Sequence, residues 1–169
     1  MRVDSASEFV QYWRGVRQRT TRAVDTIRAD DLEWSYAPGR WTMGDIVRHL
    51  AGIERDMYAE NVARRPSRYP GHGRELADGV DAVRAYHVRK HAEALEIFSA
   101  LTVEQLAGKC ITPAGTPITT WKWLRAMIEH EAHHRGQLYM MLRMRDVIVQ
   151  PMYGLTEEDV KARSTQSVS

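Results

Sequence analysis

Apolar residues recur at three- and four-residue steps in four stretches of this chain, and turn-forming residues separate those stretches. Ser5 followed by Glu8 resembles a capping box, and Phe9, Trp13, Val16, Thr20, Val24 and Ile27 then mark one face of a helix over residues 6–28. Trp34 to Trp41 contains Pro38-Gly39 and reads as a turn, after which Thr42 and Asp45 signal a second helix start that continues to Ala63. Val80, Val83, His87, Ala94, Phe98 and Leu101 mark a third helix. A long connection from Ala107 to Pro117, with room for a short hairpin, leads to Thr119 or Thr120 as the cap of a fourth. That helix carries Trp123, Met127, His130, His134, Leu138, Met141 and Leu142 on one stripe and ends near Arg145. Four long helices without a strand pattern predict an all-α four-helix bundle with long connections over residues 1–150. Residues 151–169 form a tail with at most one short helix beginning near Thr156 and a disordered, Ser-rich end.

Composition narrows the picture. The chain has 169 residues, 43% of them hydrophobic, enough for one core without covalent staples. Its single cysteine, Cys110, excludes a disulfide framework and Cys-rich zinc modules, so histidines and carboxylates must supply any metal ligands. Nothing in the sequence resembles a signal peptide or a membrane span, and a cytoplasmic protein is expected. A net charge of +2 argues against a nucleic-acid partner. The one basic cluster, Arg64, Arg65, Arg68 and Arg74, lies among prolines and glycines and reads as a solvated loop. Tyr12 and Trp13, taken as outward-facing, suggest a homodimer.

The histidines carry the candidate chemistry. His130 and His134 stand one helical turn apart on an otherwise apolar face, where two imidazoles can share an ion that relieves their burial. Composition alone gives about 0.3 such pairs in this chain. The other pair, His87 and His91, is ambiguous: His87 falls on the apolar stripe, as a core histidine or lining the interior near the site, whereas His91 sits beside Arg89 and Lys90 and reads as solvated. His49 shares the inward stripe of the second helix with Ile46 and Ile53, and is the natural third ligand. His133 points away from the paired face, and His72 reads as an exposed loop residue.

His130-Glu131-Ala132-His133-His134 also satisfies the zinc-peptidase pattern H-E-x-x-H. No histidine follows His134, so Glu157 or Glu158 would have to complete that site from the tail, and no strand is evident to bind a substrate backbone. The peptidase reading therefore ranks low. Other residues bear on the site's surroundings. Glu131 is a candidate for hydrogen-bonding a ligand, and Arg135 for steering a carboxylate or forming a surface ion pair. Trp41 and Trp121 could wall a pocket, Gly136 could admit a neighbouring helix, and Cys110 has no evident base to make it a nucleophile.

The run Trp34-Ser35-Tyr36-Ala37-Pro38-Gly39-Arg40-Trp41-Thr42 leading to His49-Leu50, and His130 to His134 followed by Arg135-Gly136-Gln137, resemble the two signatures of the DinB-like superfamily. The resemblance spans about Val10 to Met144. It implies a four-helix bundle that binds one divalent metal on His49, His130 and His134, and an all-imidazole site suits zinc, nickel and iron alike. It further implies a bacterial enzyme of the thiol S-transferase kind, using bacillithiol or mycothiol against an electrophile; some members isomerise maleylpyruvate. The family name does not imply a DNA polymerase. Two alternatives stay open: a hydrolase that activates water, and a non-enzymatic metal-binding stress or damage-response protein.

Overall fold

The computed structural model describes residues 3–166. Helix α1 (Ala6–Asp25) starts where the Ser5 side chain accepts from the Glu8 amide. Helix α2 (Met43–Ile53) opens with a full capping box between Thr42 and Asp45. It passes without a break into a π-helical stretch, Glu54–Ala59, and a last α-turn, α3 (Glu60–Val62). Helix α4 spans Val80–Ser99. A second capping box, Thr102 with Gln105, starts the five-residue α5 (Val103–Ala107), which the periodicity did not predict. Strands β1 (Lys109–Ile111) and β2 (Pro117–Thr119) pair antiparallel, with Cys110 opposite Ile118. They feed α6 (Thr120–Met144), whose first residue donates its amide to the Gly108 carbonyl at 2.9 Å. Neither threonine caps that helix with its side chain in the way expected: Thr119 occupies the cap position but makes no such bond. Helix α7 covers Glu157–Gln166, longer than anticipated, and the Ser-rich end at 167–169 lies outside the described residues.

Helices α1, α4, α2 and α6 follow one another around the bundle: α1 packs on α4 and α6, and α2 packs on the same two. Consecutive helices α1 and α2 are thus diagonal partners, as are α4 and α6. Short loops cannot join diagonal helices, which is the physical reason for the long connections 26–42 and 100–119. Two apolar clusters fill the interior. One gathers Phe9, Trp13, Tyr58, Phe98, Leu106 and Leu124; the other gathers Val24, Ile27, Val47, Leu50, Leu138 and Leu142. Trp13 is fully buried rather than outward-facing, because the helix stripe it shares with Phe9 and Val16 is the core stripe; of the pair expected outside, only Tyr12 is exposed.

The π-helical stretch fixes the path of the chain beyond α3. A widened turn leaves carbonyls without their i+4 donors. The Asp56 carbonyl accepts instead from the Arg68 amide at 2.7 Å and from the Ser67 hydroxyl at 3.4 Å. Glu60, 1% exposed, accepts from Arg55, Arg65 and Arg68. The connection after α3 is thereby tied to the helix it left, and the next residue along it is Tyr69. The four arginines of the basic cluster are exposed as expected, and three are also ion-paired: Arg65 and Arg68 with Glu60, and Arg74 with Asp78.

Candidate metal centre

His49 comes from α2 and His130 and His134 from α6, neighbouring helices whose facing stripes bring the three rings together. His130 Nε2 lies 3.0 Å from His49 Nε2 and 3.1 Å from His134 Nε2. Nitrogens roughly 2.0–2.1 Å from one ion lie about 3.0–3.4 Å apart, so this spacing suits ligands around a shared centre. The three form the one group of histidine, cysteine and carboxylate ligand atoms among the described residues that is close enough to hold a metal ion.

Each ring of the pair that flanks His130 is also oriented from behind. His134 Nδ1 lies 2.7 Å from Gln137 Oε1, an acceptor only, so Nδ1 carries the proton and Nε2 presents its lone pair to the cluster. His49 Nδ1 lies 2.6 Å from the Tyr69 hydroxyl. Burial, reinforced by neighbouring His134 and His130, pushes His49 down to about 3. Burial, then His134 and His133, takes His130 to about 4. His134 is also lowered, chiefly by burial, although its bond to Gln137 opposes the shift. Near neutral pH the rings are therefore uncharged. Without a cation, a single Nε2 proton can serve only one pair, leaving a buried lone pair facing another. A divalent ion satisfies all three, and the residues fit one.

Trp41 forms a wall of the site: its ring stacks on His134 at 5.6 Å and 13°, and packs on His49 at 4.8 Å. Beside it opens a cleft of about 600 Å³ lined by Tyr36, Arg40, Trp41, Met140, Met144 and His134, among others. Tyr36, Met140 and Met144 are 58%, 63% and 56% exposed, and all three line this cleft.

Several residues singled out in the sequence lie elsewhere or act otherwise. Glu131 is buried against α1, its Oε2 accepting from Arg17 Nη1 at 2.7 Å. Arg135 is not at the surface: 5% exposed, it donates to the Val16 carbonyl and the Thr20 hydroxyl. His87 is a core residue within 3.1 Å of the Thr21 hydroxyl. His91 is not solvated; it pairs with buried Glu54 at 2.8 Å, because α4 turns that face toward the π-helical stretch. His72 packs on Trp41 at 4.2 Å instead of standing free. His133 is exposed with its ring 4.9 Å from that of His134. Trp121 packs on the other apolar cluster, and no atom lies within 4 Å of where a Gly136 Cβ would stand, so that glycine admits no helix. Cys110 is buried on β1, away from the imidazoles, and burial raises its thiol pKa. Glu157 and Glu158, needed by the peptidase reading, sit exposed on α7. Sequence reasoning misses Tyr69, because a lone tyrosine in a Pro/Gly stretch carries no periodic signal. Gln137 stands in a recognised motif without an assigned role, although the i+3 spacing from His134 places it beside that ring.

The chain belongs to the DinB superfamily, whose model matches residues 12–138. Similar solved structures include a DinB-like protein from Bacillus cereus, 20% identical with a TM-score of 0.74, covering 88% of this chain and 97% of that one. A DinB-like protein from Bacillus subtilis is 18% identical with a TM-score of 0.67, covering 85% and 96%. YfiT from Bacillus subtilis, described as a probable metal-dependent hydrolase with an unusual four-helix bundle topology, is 18% identical with a TM-score of 0.66, covering 85% and 89%. Among curated proteins none matches the chain. No helix among the described residues is long and apolar enough to cross a membrane.

Proposed function

We propose that this chain is a metal-dependent enzyme that activates a low-molecular-weight thiol, such as bacillithiol or mycothiol, for attack on an apolar electrophile. The observation that carries the reading is the convergence of three neutral imidazoles beside an apolar cleft. A divalent ion held by His49, His130 and His134 would supply an undiminished positive charge, which favours ionisation of a thiol bound beside it. The chain's own residues do the rest. Gln137 holds the His134 tautomer, Tyr69 orients the His49 ring, Trp41 closes one side against water, and Tyr36, Met140 and Met144 receive the electrophile's apolar body. Thiolate sulfur then forms the new bond to carbon as an epoxide C–O bond opens or a halide departs, and the displaced group carries away the electron pair.

Water in place of the thiol gives the second reading, a hydrolase, favoured by the description of YfiT. One assay separates the two. The metal-loaded protein is offered a hydrophobic epoxide or halide with and without thiol, and separately an ester without thiol. Thiol-dependent conjugation that a chelator abolishes supports the transferase. Ester turnover without thiol transfers the claim to the hydrolase, and neither activity in fully loaded protein removes the enzymatic reading.

A further inference from the structure

A second cleft, about 590 Å³, lies between the end of the α2–α3 helix and the β-hairpin, lined by Asn61, Arg64, Arg65, Ser67, Lys109 and Cys110 among others. It takes up the one member of the basic cluster that lacks an acidic partner. Arg65, Arg68 and Arg74 each meet a carboxylate, whereas among the described residues neither Arg64 nor Lys109 does. Arg64 reaches toward the hairpin because its backbone is left-handed, with φ of 63°, a conformation that costs a non-glycine residue free energy. Its guanidinium uses one bond on the Gln105 carbonyl at 3.3 Å. Asn61 adds a group that neighbours do not satisfy. It is 2% exposed and its Nδ2 donates to the Arg65 carbonyl, but its Oδ1 is buried without any hydrogen-bond partner. A buried acceptor left unpaired is costly, and Asn61 is one of the residues that line the cleft.

We infer that this cleft binds a small organic anion that also carries a hydroxyl or amino donor. Arg64 and Lys109 take the anionic end and Asn61 Oδ1 accepts from the donor. The volume suits a metabolite rather than a macromolecule. Carboxylates and phosphate esters share this chemistry, so the test includes both.

Calorimetric titration of the full chain with L-malate, succinate and glycerol 3-phosphate at matched ionic strength is the experiment. It is repeated in His49→Ala to separate this cleft from the histidine centre. Succinate is malate without its hydroxyl. One malate or glycerol 3-phosphate is expected to bind per chain, whichever is tighter identifying the anionic group, with succinate weaker by about fivefold. Arg64→Gly, which suits the left-handed backbone, combined with Lys109→Ala should weaken the anions by about tenfold. Asn61→Leu should erase the preference for malate over succinate, and His49→Ala should leave binding intact. The inference is overturned if no probe binds saturably, if Arg64→Gly with Lys109→Ala changes nothing, or if His49→Ala abolishes binding. Because Arg64→Gly and Lys109→Ala alter an exposed turn and an exposed strand position, the test stands even if Asn61→Leu fails to fold.

Discussion

Two buried polar clusters lie inside this bundle and meet burial in opposite ways. In the first, Arg17, 1% exposed, pairs with Glu131 at 2.7 Å and with Glu54 at 3.2 Å, and Glu54 also accepts from Trp13 Nε1 at 2.6 Å and meets His91. Burial by itself would raise Glu54, but Arg17, His91 and Trp13 hold it below the usual carboxylate range. Opposite charges there supply each other's partners. In the second cluster, His49, His130 and His134 bring like groups together, with the Nε2 atom of His130 3.0 Å and 3.1 Å from those of the other two and no carboxylate in the group. The first cluster carries its own counter-charges as folded, although Arg17 Nε and Glu131 Oε1 lack hydrogen-bond partners; the second has no counter-charge within its own ligand set and suits a cation. Burial of polar groups therefore identifies a site only when their mutual chemistry leaves something wanting.

Each half of this contrast can be attacked separately. Arg17→Met strands two carboxylates and should cost about 3–5 kcal/mol in urea unfolding while leaving metal content unchanged; a loss under about 1 kcal/mol would mean the ion pairs do not hold the cluster together. Adding divalent metal to metal-free protein at about a hundred times its Kd should stabilise the fold by about 2.7 kcal/mol, read as a rise in Tm that His49→Ala lacks. Acid should act on the histidine cluster of the metal-free protein. An imidazole held near 3 when folded, but titrating near 6.5 when unfolded, contributes fully above pH 6.5 and loses that contribution as pH falls toward 3. At pH 5 His49 alone accounts for about 2 kcal/mol relative to pH 8, measurable by urea unfolding at the two pH values, and flat stability across that range would contradict the assignment. The smallest effect is expected from Tyr69→Phe, which leaves His49 Nδ1 without its partner and should weaken metal affinity by about tenfold in a competition titration with a chromophoric chelator.

Much of the fold is legible in the sequence because its signals are local. Caps at Ser5 and Thr42 and apolar stripes at helical spacing locate the four bundle helices, and the His130/His134 spacing with His49 on a second inward stripe already groups the three imidazoles. What escapes depends on contacts distant in sequence or on a change of helical pitch. The π-helical turn at Glu54–Ala59 has no periodic signature, yet it anchors the stretch that delivers Tyr69. Arg17 and Glu131 are 114 residues apart, and single-sequence patterning reads such residues as surface charges. The same blindness makes Arg135 a surface residue and His91 a solvated one. Trp13 shows the converse error: its own stripe with Phe9 and Val16 already places it in the core, and reading it as a dimer contact sets that pattern aside.

Everything proposed for the site depends on three histidines from two helices forming one metal centre. Metal analysis by mass spectrometry of purified wild type beside His49→Ala, with circular dichroism to verify that both fold, tests this most directly. About one divalent ion per wild-type chain and a large loss in the variant are expected; equal metal content in the two folded proteins would show that His49 is not a ligand and that the three-histidine centre does not exist.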